Sequence, residues 1–246
     1  MYNYAQRKDM ITLKSQFMKG MYHGIPISLG YLSVSFGFGI LAVKSGLSVL
    51  ESALISITNL TSAGQTAGVA IIASGGAIIE MILTQFIINI RYALMSLSLS
   101  QKLDCSFTTA KRLIVSYGIT DEIFAMASSQ PNRITPQYMY GLILISFLGW
   151  TSGTILGASA GELLPTSVTN AMGIVLYGMF LAVIIPPSRK SKSVLFVVIL
   201  SALLSILFKY CFSSVSSGFA VIISTLIASS VGALIFPIND ENEVKE

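Results

Sequence analysis

"TNLTSAGQTAGVAII", residues 58–72, is the stretch on which the fold turns. It lies inside an apolar run, 50–73, yet it crowds Thr58, Asn59, Thr61, Ser62, Gln65 and Thr66 at what would be membrane depth. Gly64 and Gly68 weaken any helix there. The run either crosses a bilayer or enters and returns. Unwound backbone at that depth is tolerated only where protein or a water-filled cavity satisfies its polar groups. Such interruptions point to binding sites in transporters. The competing reading is a polar seam between helices, with Ser and Thr bonding their own backbone.

The rest of the chain supplies the membrane. Of 246 residues, 53% are hydrophobic and only 11% charged, against about 25% charged in soluble domains. Mean hydropathy is +0.76. The expected class is an all-α polytopic helical membrane protein of about six to eight membrane segments, some broken or re-entrant. In that setting the formal charge of +4 speaks of loop placement, not of nucleic acid. Residues 1–23 read as a cytoplasmic or interfacial N-terminal segment, because "MYNYAQRKDMITLKSQFMKG" (1–20) lacks the apolar core and cleavage site of a signal peptide. Residues 24–236 read as one transporter domain, and 237–246 as an acidic cytoplasmic tail. Cys105 and Cys211 are too far apart to suggest a metal or redox pair and read as buried small hydrophobes.

Candidate spans are 25–45, 76–98, 138–160, 168–187, 193–212 and 217–236. Residues 50–73 and 112–130 are the ambiguous pair. Basic residues gather before residue 20, at Lys102, Lys111 and Arg112, at Arg133, and at Arg189, Lys190 and Lys192. The positive-inside rule puts all of these in the cytoplasm only if 50–73 enters and returns. Either reading of 50–73 leaves both termini cytoplasmic. Gly149, Gly153, Gly157 and Gly161 recur every four residues and read as a helix-packing face toward a neighbouring helix or a partner subunit. A short echo between "ILAVKSG" (40–46) and "ILGASAG" (155–161) is too slight to establish a repeat.

Enzymatic motifs find no support. "GASAG" (157–161) matches a nucleophile elbow, but its glycines continue the helical stripe, and the only histidine, His23, precedes the first span. There is no H-E-x-x-H, no Walker A loop and no dinucleotide fingerprint, so neither metal nor cofactor is expected.

The charged residues at membrane depth carry the functional reading. Arg91 lies within a span, where a charge costs roughly 2.5–3.5 kcal/mol on insertion scales. Glu80 is eleven residues away, about 16 Å along a straight helix, and cannot pair with it there. Snorkelling to the interface is one account of Arg91. The other is that its planar fork serves a carboxylate. Asp121 and Glu122 point about 100° apart on a helix and either face water or supply the anion that Arg91 needs. With Asn89 beside Arg91 and the polar break near Thr61 and Gln65, this set suits a zwitterion with an apolar side chain, among other small amphipathic solutes. No ATP site is evident, so an ion gradient is the expected energy source.

In order along the chain, "GIPISLGY" (24–31), "FGFGILAVKSGLS" (36–48), "AGQ" (63–65), "NIRYALM" (89–95) and "TDE" (120–122) resemble the AzlC family, the large subunit of bacterial branched-chain amino acid exporters. The resemblance implies proton-driven export of leucine, isoleucine and valine across the inner membrane. It also implies a small AzlD-like membrane subunit as partner. Gln65, Asn89, Arg91, Asp121 and Glu122 fall on family-typical positions. The roles read from the residues themselves are substrate binding for Arg91, Asn89, Gln65 and Thr61, and coupling or ammonium binding for Asp121 and Glu122. Tyr92 departs from the histidine common in the family, and Thr66 from an aromatic residue. The first change removes a group that titrates near neutrality.

Overall fold

The computed structural model describes residues 2–163, 178, 181, 184–212 and 215–237. Helices follow in the order α1 (Tyr2–Lys44), α2 (Val49–Thr58), α3 (Ser62–Ala73), α4 (Ile78–Ser100), α5 (Thr109–Tyr117), α6 (Asp121–Ser128), α7 (Pro136–Leu163), α8 (Lys192–Cys211) and α9 (Ser217–Ile235). Among the described residues, Lys14–Lys44, Ile78–Ser100, Pro136–Gly161, Lys192–Cys211 and Gly218–Ile235 are long and apolar enough to cross a bilayer. The all-α, polytopic class is as the sequence implies. The expected span 168–187 lies largely outside the described residues. Helix α1 runs unbroken from Tyr2 into the first span, with Pro26 inside it.

The chain divides into two compact units, Met1–Thr66 with Ile88–Leu176, and Ala67–Ile87 with Tyr177–Glu246. The first is organised by α1 and α7. Gly141 packs on the backbone of Phe17, Gly149 on Ser28, Gly153 on Leu32 and Gly157 on Phe36. Both partners advance in the same direction, so the two helices are parallel. The glycine stripe therefore faces a neighbouring helix of the same chain. In lipid, helices associate through close packing rather than hydrophobic expulsion, which is why small residues line the contact. "GASAG" lies within this continuous helix, and Ser159 points outward.

Two broken helix pairs flank this scaffold. Helix α2 begins with a capping box, Ser48 and Glu51, and ends where Asn59 turns to extended backbone (φ −139°, ψ 96°). Nine residues of straight helix would separate Ser56 from Gln65 by about 13.5 Å. Instead Gln65 Nε2 donates to Ser56 Oγ at 3.2 Å, so α3 starts by turning back on α2. At 10 and 12 residues, α2 and α3 are each too short to cross. The second pair, α5 and α6, leaves and returns at one place. Leu103 and Ile134 form an isolated bridge, with Asp104 N–H to Ile134 O and Ile134 N–H to Lys102 O both at 3.0 Å. Its apolar side, Val115, Ile119, Ile123 and Ala127, is buried with Tyr138, Met139 and Leu142 of α7. Both ambiguous stretches are thus broken hairpins.

In the second unit, α8 and α9 run antiparallel, with Phe196 meeting Phe236 edge-to-face at 5.7 Å and Gly232 seated on Val197. Leu195, Ile199, Leu203 and Ile206 of α8 point outward, a contiguous apolar face that a bilayer satisfies and water would not. Cys105 and Cys211 are both exposed, which corrects the expectation of burial. One sits in a turn and the other ends α8, so neither lies on a packed helix face.

Candidate functional site

The two hairpins approach α7 from opposite ends. On the C-terminal side, Ser56 of α2 shares a 2.6 Å hydrogen bond with Thr154, and Leu60 is buried against Trp150 and Tyr31. On the N-terminal side, Gly118 rests on Ile143, and the Tyr117 ring meets Phe147 at 6.4 Å. The breaks meet near the middle of α7, and the Tyr117 hydroxyl donates to the Ile57 carbonyl across the junction. That carbonyl is one of the four that the end of α2 leaves without a helical partner.

The breaks are built alike. Thr61 accepts from Gly64 N–H and Thr120 from Ile123 N–H, each at 3.3 Å. Thr61 follows Leu60, and Thr120 follows Ile119. At the hairpin starts, Ser48 and Thr108 cap α2 and α5 through the N–H three residues on. A short hydroxyl residue is what a helix start needs, and it recurs at all four points.

A cavity of about 170 Å³ lies at the junction, lined by Thr58, Asn59, Leu60 and Thr61 from the first break, Ser116, Tyr117 and Ile119 from the second, and Asn89 and Tyr92 from α4. Its size suits a small solute rather than the drug-sized ligands that fill about 300–1,000 Å³. Hydroxyls, amides and two aliphatic side chains give it a mixed wall.

Arg91 stands beside this cavity. Its Nη1 pairs with Asp121 Oδ2 at 2.8 Å, with both side chains 43% exposed. Its Nη2 donates to the Tyr92 hydroxyl at 3.1 Å, and the guanidinium lies over the same ring at 4.9 Å. Asp121 is the anion brought to Arg91. Glu122 turns elsewhere, accepting from the Tyr31 hydroxyl at 2.6 Å, and Tyr31 and Thr120 share a further hydrogen bond. The first turn of α6 carries both carboxylates, which complement its positive end. The first turn of α3 carries none.

The expected site residues thus separate by position. Thr61 and Asn89 line the cavity, while Arg91 and Asp121 form its neighbouring ion pair. Gln65, 1% exposed, lies in a buried network: Trp150 Nε1–H donates to Gln65 Oε1 at 3.3 Å, and Gln65 donates to Ser56. Replacing Gln65 with leucine leaves the buried indole N–H without its acceptor, at about 1–3 kcal/mol, while Ser56 keeps Thr154. The expected result is a lower thermal midpoint in detergent and a shifted emission of Trp150, the chain's only tryptophan. An unchanged midpoint would remove the bracing role. Tyr31, Tyr92, Tyr117 and Trp150 were not among the expected residues. Tyr92 alone had a signal, as the replacement of a family histidine.

The family model described as AzlC protein matches residues 26–164, more than half of the chain. That range holds both hairpins and the scaffold helix α7. The chain is similar to the inner membrane protein YgaZ of Escherichia coli, at 29% identity over 184 residues, covering 72% of this chain and 75% of the relative. It is also similar to an uncharacterized membrane protein of Archaeoglobus fulgidus, at 29% over 178 residues, covering 72% and 78%. No solved structure matches the chain.

Proposed function

We propose that this chain, a membrane protein that belongs to the AzlC family, is a secondary transporter that exports branched-chain and related apolar amino acids. The carrying observation is the pair of broken helices meeting from opposite ends beside a polar cavity. Discontinuous helices leave backbone N–H and carbonyl groups at membrane depth, where they can take the place of a solute's water. Arg91 and the bare start of α3 are suited to a substrate carboxylate. Asp121 is suited to its ammonium, and Leu60 and Ile119 to its side chain. A zwitterion would compete with the Arg91–Asp121 pair, replacing each charge by the substrate's own, and so open a barrier that is closed when the site is empty.

Orientation in a bacterial cytoplasmic membrane follows the basic residues. Lys19, Lys102, Lys111 and Arg133 lie at the end of the first unit where α1 approaches the N-terminus of α7, with Lys19 over Tyr138 and Arg133 bonded to Leu103 O. The positive-inside rule makes that end, and both termini, cytoplasmic. A small AzlD-like subunit completes the exporter, and the proton gradient drives it.

The test is leucine efflux from cells preloaded with a leucine-containing dipeptide, with this chain alone and with its partner, at matched membrane level. Counterflow in liposomes holding both subunits follows. Efflux that needs the partner, and labelled leucine exchange accelerated by unlabelled leucine on the far side, are the expected results. Passage without such acceleration would favour a passive pore, and no leucine movement would remove the substrate.

A further inference from the structure

A second polar centre lies in the unit formed by Ala67–Ile87 and Tyr177–Glu246, outside the site above. Glu80, in the first turn of α4, is 2% exposed. Its Oε1 accepts from Ser216 Oγ at 2.5 Å and from Gly218 N–H at 2.8 Å, at the start of α9. Its Oε2 lies beside Gly76, where an added Cβ would come within 3.0 Å. One turn along α4, Thr84 is fully buried, and two turns into α9, Ser224 is 4% exposed. Among the described residues the hydroxyls of both have no hydrogen-bond partner. Buried hydroxyls seldom stay unbonded. Here two do, on the two helices that Glu80 ties together.

Among the described residues, the groups that donate to Glu80 are neutral. Residues 67–79, which lead into α4, and 215–237, which contain α9, carry no titratable side chain, and α4 carries none between Glu80 and Arg91. On α8, which packs against α9, Lys209 places its ammonium over the Tyr210 ring at 5.8 Å. Glu80 is in no ion pair among the described residues.

We propose that Glu80 is the proton-binding carboxyl of the transport cycle. This rests on the transport reading above and places coupling in a different unit from the solute cavity. A proton from one aqueous side binds Oε2 and converts the carboxylate to a neutral acid. Its release to the other side restores the anion. Thr84 and Ser224 offer the hydroxyls along which that proton, or a water carrying it, enters. The neutral acid is a weaker acceptor than the carboxylate, so protonation loosens the hold on Ser216 and Gly218 and frees the start of α9 to move.

The test compares wild type and Glu80→Gln, each with the partner subunit in liposomes. Two readouts are taken: labelled L-leucine counterflow without a gradient, and leucine movement driven by an imposed pH difference. The glutamine keeps an acceptor for Ser216 and Gly218 but cannot take up a proton. Counterflow within about twofold of wild type, with gradient-driven movement down more than about tenfold, is the expected result. Full gradient-driven movement in this variant would overturn the proposal. So would equal loss of both activities, which marks a structural clip. Thr84→Val guards against misfolding, since it removes only an unbonded hydroxyl. It should slow the driven movement severalfold and spare counterflow, and an unaffected driven rate would count against the path. No counterflow in wild type sinks the amino acid reading and the coupling role together, whereas a fully coupled Glu80→Gln in an active background sinks the coupling role alone.

Discussion

Lysine in place of Arg91 lowers leucine counterflow about tenfold or more while membrane level and thermal midpoint hold. Tenfold corresponds to about 1.4 kcal/mol at the rate-limiting barrier. The expectation follows from shape rather than charge. The guanidinium spends one nitrogen on Asp121 and another on the Tyr92 hydroxyl while its plane covers the Tyr92 ring. An ammonium keeps the charge but cannot hold those directions at once. It also snorkels as well as arginine does. A near-normal rate would therefore show that Arg91 only relieves its own position in the span. Asp121→Asn separates the two partners further. If the pair is the barrier that a zwitterion opens, this variant still folds but loses discrimination between leucine and a leucine analogue lacking the ammonium. Unchanged selectivity would detach Asp121 from the substrate.

Several of these relations were legible in the residues and others were not. Long apolar runs mark their helices because a bilayer demands length and little else, so the described spans coincide with the expected ones. The breaks were legible too. Threonine before a short polar stretch is a helix start, and "NLTS" and "GITD" both announce one. What escaped was their kinship. The sequence invites a comparison of 40–46 with 155–161, whereas the structure matches Ser48 with Thr108, and Leu60–Thr61 with Ile119–Thr120. Helix pairs of opposite direction share only caps and break points, and a cap accepts any short hydroxyl, so little identity survives. Gln65 was unreadable for another reason. An amide at membrane depth has the same composition whether it faces a cavity or, as here, Trp150 and Ser56. Arg91 and Asp121 lie 30 residues apart and meet only because the α5–α6 hairpin returns.

The largest effect on folding is expected at Gly157. A glycine stripe in the sequence suggests four equivalent positions, but the structure ranks them. A Cβ at Gly157 would run into the carbonyl and Cα of Phe36, which are backbone atoms of α1 and cannot rotate away. At Gly161 the nearest atom to such a Cβ is Ile40 Cα at 3.4 Å, an ordinary contact. Overpacking a tight core costs about 1–3 kcal/mol and sometimes more. In lipid no hydrophobic gain offsets a widened gap between helices, because the tails are as apolar as the side chains. Gly157→Leu must therefore push α1 off α7. Since both hairpins are seated on α7, the junction that forms the cavity goes with it. Little folded protein at the membrane and no leucine movement are expected for Gly157→Leu, against near wild-type level, midpoint and counterflow for Gly161→Ala. The comparison is read by size-exclusion profile and thermal midpoint in detergent. A well-folded Gly157→Leu would show that α1 and α7 can separate by a side chain without loss, and the parallel pair would then no longer be the scaffold on which the site is built.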